Sequence, residues 1–322
     1  MMIAAVCIVS ALTQELETLQ EIDAAFQRRQ SSCFEVRWDA QLTVIENPEA
    51  IREERRRTVF QCPPQSLAVE GECIRYQGFR DPFYEKVGSE LTDYVSYFDG
   101  QDSIICRLSA GRGRRRVAEL RQKNAFEDRQ NFTFGPLWMH FCADHHTGIR
   151  LRCDQLTLLP ESDIVNGMVC RILTGERHQH PFRIFVAPKL EYAVVRFVEF
   201  STGGVLRSHQ VDTQFQTAAG RIVPLSWHAQ WFSGGMIHQT LKATVQRVTL
   251  DREPDRNHLR PAFPPGTQVQ DIAEGIIYHV ADDGSYQVER RMVRSAVPPI
   301  RRMGGFVLPD GWKPGAIIDI PN

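Results

Sequence analysis

Five side chains able to ligate a soft metal crowd into residues 138–154, WMHFCADHHTGIRLRCD: His140, Cys142, His145, His146 and Cys153. Zinc accepts imidazole nitrogen and thiolate sulfur in tetrahedral sites, and a structural site takes four such ligands. The spacing H-x-C-x-x-H-H-x(6)-C departs from the standard zinc patterns. Adjacent His145 and His146 would point apart in most backbone conformations. In an oxidising compartment Cys142 and Cys153 could equally pair with each other. His140, Cys142, His145 and Cys153 thus make a weak metal cluster, one that would support a metal-dependent hydrolase only if their side chains converged.

Other chemistry is thinner. Asp282 and Asp283, before Gly284, offer carboxylates to calcium, but Asp-Asp-Gly is also how an exposed turn is written. Arg55-Arg56-Arg57 reads as a solvated strand face or loop. Arg112, with Arg114, Arg115 and Arg116, is the better anion candidate, placed in a hairpin loop. The chain has no G-x-S-x-G elbow, no P-loop, no H-E-x-x-H and no dinucleotide fingerprint. No cofactor and no enzymatic activity are expected from these residues.

The elements that position such groups are mostly strands. Residues 33–45, CFEVRWDAQLTVI, place Phe34, Val36, Trp38, Ala40, Leu42 and Val44 on one face and Glu35, Arg37, Asp39, Gln41 and Thr43 on the other. A period of two over about eleven residues predicts a long, half-buried antiparallel strand. Further strands are predicted at 56–61, 65–69, 73–77, 94–98 and 103–108. A second series falls at 163–165, 168–173, 182–186, 192–200, 204–215, 220–231, 236–250, 276–280 and 286–293. Asp99-Gly100, Asn166-Gly167 and Asp282-Asp283-Gly284 are the hairpin turns. One helix is strong: residues 14–29 set Leu16, Leu19, Ile22, Ala25 and Phe26 on a stripe, with acid early, Arg28 and Arg29 late, and Thr13 as N-cap. Weaker helices are predicted at 117–122 and 136–142. Strands at this spacing, with no fixed repeat, mean an antiparallel sheet, barrel or sandwich.

At 322 residues the chain can bury an ample core, and its 42% hydrophobic and 24% charged residues are those of a soluble globular protein. A formal net charge of -1 argues against a nucleic-acid partner. Residues 3–12, IAAVCIVSAL, have the length of a signal-peptide h-region and are too short to span a bilayer. A signal over residues 1–13 with its basic n-region upstream accounts for them, and so would a buried N-terminal strand. Val6 stands where a lipoprotein cysteine at Cys7 would need a small residue. Of eight cysteines, Cys62 and Cys73, like Cys142 and Cys153, are spaced for hairpin-type bridges.

This order of elements resembles the bacterial lipoprotein-carrier superfamily of LolA/LolB-like proteins. The likeness rests on LETLQEIDAAFQRRQSSCFEVRWDAQLTV at the start, on the turn Tyr97-Phe98-Asp99-Gly100, and on FPPGTQVQD at residues 263–271. It spans residues 15–288, although the chain is longer and richer in cysteine than a typical carrier. What the resemblance implies is a strongly curved antiparallel sheet, an unclosed half-barrel around helices, whose concave apolar face receives acyl chains.

The expectation is therefore a mainly β domain over residues 14–295, a Pro/Gly/Arg-rich tail at 296–322, and export to the periplasm or cell envelope. It would hold a lipid or an acylated protein without catalysis, peripheral to the membrane at most, with Phe34, Val36, Trp38 and Leu42 lining the groove. Each methylene taken out of water contributes about 0.8 kcal/mol, enough for micromolar binding of one chain. The alternative is a structural or protein-interaction module of the same fold whose groove is filled by its own side chains.

Overall fold

The computed structural model describes residues 18–29, 33–46, 56–62, 64–71, 73–78, 94–98, 102–107, 117–122, 135–141, 155–177, 179–218, 220–251, 259, 263–272, 274–291, 300–303 and 306–309. The long alternating segment is the strand β1 (Cys33–Glu46), and it organises the molecule. One of its edges carries β14 (Met236–Leu250), paired antiparallel from Phe34↔Leu250 to Val44↔Gln239. Its other edge is shared. β3 (Gln65–Glu70) takes the half from Cys33 to Trp38, and β2 (Arg56–Gln61) takes the half from Gln41 to Glu46. Where the two meet, the Cys62 N–H bonds the Ala40 carbonyl at 3.0 Å.

From β3 the sheet continues through β4 (Cys73–Gly78), β5 (Tyr94–Phe98), β6 (Asp102–Arg107) and β7 (Val117–Gln122). It ends in β15 (Gln268–Asp271), β16 (Ile276–Val280) and β17 (Tyr286–Arg291). From β14 it runs the other way through β13 (Arg221–Ser233), β12 (Arg207–Ala218), β11 (Ala193–Phe200), β10 (His180–Ala187), β9 (Met168–Arg177) and β8 (Thr157–Val165). The result is one curved 17-stranded sheet, not closed into a barrel. Register breaks at Arg37/Trp38, Phe185/Val186, Glu199/Phe200, Gln214/Phe215 and Trp231/Phe232 supply bulges, each of which tightens the local twist. Beyond it β18 (Ile300–Met303) and β19 (Phe306–Pro309) pair with each other.

Two helices cover one face of this sheet. In α1 (residues 18–29), Ile22, Ala25 and Phe26 are buried, as the stripe predicts; its predicted first turn lies outside the described residues. Ile22 and Phe26 pack on Leu158, Leu173, Phe182, Ile184 and Phe197. All seven residues of α2 (Gly135–Phe141) are buried, Leu137, Trp138 and Phe141 against β1, β3 and β13 and Met139 against the α1 cluster. Strands β9–β11 are apolar on their other face too, where Ile172, Phe185 and Val198 form a separate cluster.

Three local expectations fail, each for a tertiary reason. Residues 117–122, VAELRQ, form a strand and not a helix, because β6 on one side and β15 on the other both offer open backbone edges. The ladder bonds outweigh the helix preference of Ala, Glu and Leu. The β7–β15 pair is also parallel, within a sheet whose other pairs are antiparallel. Finally, Cys62 and Cys73 are free thiols. Cys62 bonds at Ala40, while Cys73 lies opposite Glu70, itself opposite Cys33, seven strand positions from Ala40. That is on the order of 20 Å along the strand, against the roughly 4.4–6.8 Å between Cα atoms that a disulfide needs.

The hairpin turns follow their chemistry. Asn166 (φ 51°) and Gly167 (φ 77°) both take positive φ between Val165 and Met168, as a type I′ turn requires. At the β16–β17 turn the Ser285 N–H donates to Asp283 Oδ1 at 2.8 Å, and hydrogen bonding from the Ser285 side chain, then from its backbone, holds the Asp283 carboxyl below its usual range. Its oxygen thus serves the turn itself. Residues 99–101, between the paired Phe98 and Ser103, lie outside the described residues.

Candidate functional site

The inner face, the one under α1 and α2, is built from alternate residues of consecutive strands. Phe34, Val36, Trp38, Ala40, Leu42 and Val44 of β1 are all at most 6% exposed, and they join Leu67, Val69, Tyr76, Trp227, Ala229, Trp231, Leu241 and Ala243 in one cluster. Aromatic rings continue it across the sheet: Trp231 to His209 at 5.2 Å, His209 to Phe197 at 6.2 Å, Phe197 to Phe182 at 5.7 Å. The four β1 residues expected to line a groove therefore sit together in the cluster that α2 joins, and the Phe34 and Phe141 rings are 4.9 Å apart.

Polar atoms interrupt this face at the level of Trp38. Trp38 lies opposite Gln65 of β3, and Trp227 of β13 lies opposite Ala243, which lies opposite Ala40. With alanines between them the two indoles approach to 5.5 Å, and Trp38 also stacks on Tyr76 at 6.3 Å. The Tyr76 hydroxyl donates to Gln65 Oε1 at 2.7 Å, both side chains being buried. Trp38 Nε1 and Trp227 Nε1 are buried without an acceptor.

Gly78 makes room for the Tyr76–Gln65 pair. A Cβ there would lie 2.0 Å from Gln65 Oε1 and 2.5 Å from the Tyr76 hydroxyl. Because those atoms are bonded to each other and enclosed, Gly78→Ala should destabilise the fold by about 1–3 kcal/mol. Urea unfolding checks this, and a shift under about 0.5 kcal/mol would mean that the pair swings aside.

α1 is fixed at its end. The Arg29 guanidinium, 5% exposed, donates to the carbonyls of Glu191 and Tyr192, and the Tyr192 hydroxyl donates to Glu21 Oε2 at 2.7 Å. Glu191 and Tyr192 both adopt positive φ, which turns their carbonyls toward the helix end. Burial draws the Arg29 pKa down to about 10, with Glu191 opposing the shift, so it stays charged at neutral pH.

No family model matches the chain, and no curated protein matches it. Solved structures do. A LolA superfamily protein from Nitrosomonas europaea aligns at TM-score 0.44 and 10% identity, covering 75% of this chain and 97% of that one. A DUF1329 family protein from Desulfovibrio piger aligns at TM-score 0.42 and 9% identity, covering 76% of this chain and 97% of the other. An outer membrane lipoprotein-sorting protein domain from Vibrio parahaemolyticus aligns at TM-score 0.44 and 8% identity, covering 75% and 95%. The chain is similar to LolA-superfamily proteins. At TM-scores of 0.42 to 0.44 and identities of 8–10% the likeness carries nothing about ligand or role.

The metal candidates fare differently from the groove residues. His140, in α2, is 3% exposed; its Nε2–H donates to the Ile222 carbonyl at 2.8 Å, and its ring packs on Phe141 and Phe215. Cys142, His145, His146 and Cys153 lie outside the described residues, as do Arg112 to Arg116. Among the described residues no three or more His, Cys, Asp or Glu side chains gather as a metal site. Gln65, Tyr76 and Trp227, the polar partners of Trp38, were not singled out from sequence, although Trp227, Ala229 and Trp231 alternate in SWHAQW and could have been.

Proposed function

We propose that the chain is an exported, non-catalytic binding protein that holds a lipid or the acyl chain of an acylated protein against the inner face of its sheet. One observation carries the reading: a continuous aromatic and aliphatic face runs across β1 and β13, with the short helix α2 packed on it beside Phe34. An acyl chain that took the place of α2 would bury its methylenes against Phe34, Val36, Trp38 and Leu42 at about 0.8 kcal/mol each. Residues 14–295 would form the binding domain, with 296–322 a tail, and the site of action would be the periplasm or cell envelope, where an envelope protein could pass the ligand on. No described helix is long and apolar enough to cross a membrane.

The second reading, a structural module with a self-filled groove, is favoured by the near-complete burial of the same four side chains among the protein's own residues. Native mass spectrometry of the protein, exported and purified without detergent, separates the two. A lipid mass that denaturation releases is the expected result. A bare polypeptide mass, unchanged after incubation with phospholipid vesicles, would move the assignment to the self-filled module. A zinc-sized increment lost in Cys142→Ser would instead promote the 140–153 cluster.

A further inference from the structure

Buried donors in native proteins are almost always hydrogen bonded, and an exception calls for an explanation. Trp38 and Trp227 are such exceptions, 1% and 2% exposed, with neither indole N–H bonded to an acceptor. Both belong to the inner face, their rings are 5.5 Å apart, and they come from strands separated only by β14. Their neighbours are neutral: Ala40, Ala243, Gln65, the Tyr76 hydroxyl already spent on Gln65, and Thr213 opposite Trp227.

We propose that Trp38 and Trp227 form the polar end of the acyl site, two indole donors that receive the carbonyl oxygen of an ester or amide-linked acyl chain. The proposal rests on the carrier reading above and adds to it the chemical class of the ligand's head. An indole N–H can only donate, so its complement is an acceptor. A free carboxylate would be buried there without a cation among the described neighbours, and an isolated buried charge is far costlier than a neutral carbonyl. A carbonyl oxygen has two lone pairs and can take both donors. The hydrocarbon would then run along β1 over Leu42 and Val44, or over Val36 and Phe34.

A matched pair of soluble ligands tests this: myristoyl lysophosphatidylcholine, which has the ester carbonyl, and its tetradecyl ether analogue, which lacks it. Binding is measured by calorimetry below micelle-forming concentrations, to the full-length wild type, Trp38→Phe and Trp227→Phe. The ester is expected to bind the wild type about tenfold more tightly than the ether, from one to two net hydrogen bonds. Each Phe variant keeps an aromatic ring but loses the N–H and some volume, and should lose most of the ester-over-ether preference even where its affinity for both ligands falls. A measurement that needs no variant to bind runs beside it, the ¹H–¹⁵N spectrum of protein labelled on tryptophan. The two indole resonances, assigned by their disappearance in the variants, should move downfield with ester and not with ether.

Equal affinity for ester and ether, or indole signals unmoved by ester because bound water already satisfies them, overturns the inference and leaves the carrier reading standing. Failure of the wild type to bind either ligand overturns both.

Discussion

Trp38→Ala should cost about 4 kcal/mol of stability, the size seen when a large aromatic is deleted from a packed core. Trp38 is among the largest fully buried side chains, and it stands on β1 between β14 on one edge and β3 on the other. Its removal would open a cavity walled by Trp227 and Tyr76, whose positions are held by separate strands that cannot collapse together. Trp38→Phe should cost much less, about 1 kcal/mol or under, because the lost volume is partly offset by removing a donor that has no acceptor. Arg37→Ala, one residue away on the opposite face, should shift stability by no more than about 0.5 kcal/mol. Its ion pair with Glu35 is local and 58% exposed on the arginine side, so solvent screens it. Urea midpoints for the three variants, at unchanged denaturant slope, give the comparison. A Trp38→Ala loss as small as that of Arg37→Ala would show that the inner face is loosely packed there.

β1 was legible because its signal is local: side chains alternate, and one face must be buried whatever strand lies beside it. The same logic found β2, β5, β14 and β16 to the residue, and Asn166-Gly167 specified its own turn. Partner choice is not local. Nothing in CFEVRWDAQLTVI says that Phe34 will lie opposite Leu250, more than two hundred positions on, or that one edge will be divided between β2 and β3. β7 went wrong for that reason, since VAELRQ has helix-forming residues and becomes a strand only between β6 and β15.

The candidate site divides in the same way. Phe34, Val36, Trp38 and Leu42 could be read as one face from their spacing alone. That Trp38 meets Trp227 and Tyr76 depends on register across five strands, and the part played by Gly78 is hidden because a glycine at a strand end reads as a turn. His140 was noticed for its neighbours Cys142 and His145, a sequence proximity. In the fold its bonded partner is the carbonyl of Ile222, eighty-two residues away.

That placement of His140 should make the protein lose stability in acid over a defined pH window. Burial, reinforced by the nearby Arg29 and Arg221 and only partly opposed by the bond to Ile222, draws its pKa down to about 3. In the unfolded chain the imidazole takes up a proton below about 6.5. Between these values the unfolded state binds a proton that the folded state does not, so stability falls as pH falls, by about 1.4 kcal/mol per unit. The loss begins near pH 6.5, ends near 3, and amounts to about 5 kcal/mol. Carboxylates titrate in the lower part of the same range, so the measurement is a difference. Glutamine at position 140 can still donate to the Ile222 carbonyl but cannot take up a proton. Stability curves of wild type and His140→Gln should run parallel above pH 7 and diverge below it, the wild type losing most of an additional 5 kcal/mol or so by pH 3. Parallel curves throughout would mean that the imidazole charges within the fold, which requires α2 to lift from the sheet and let water reach it.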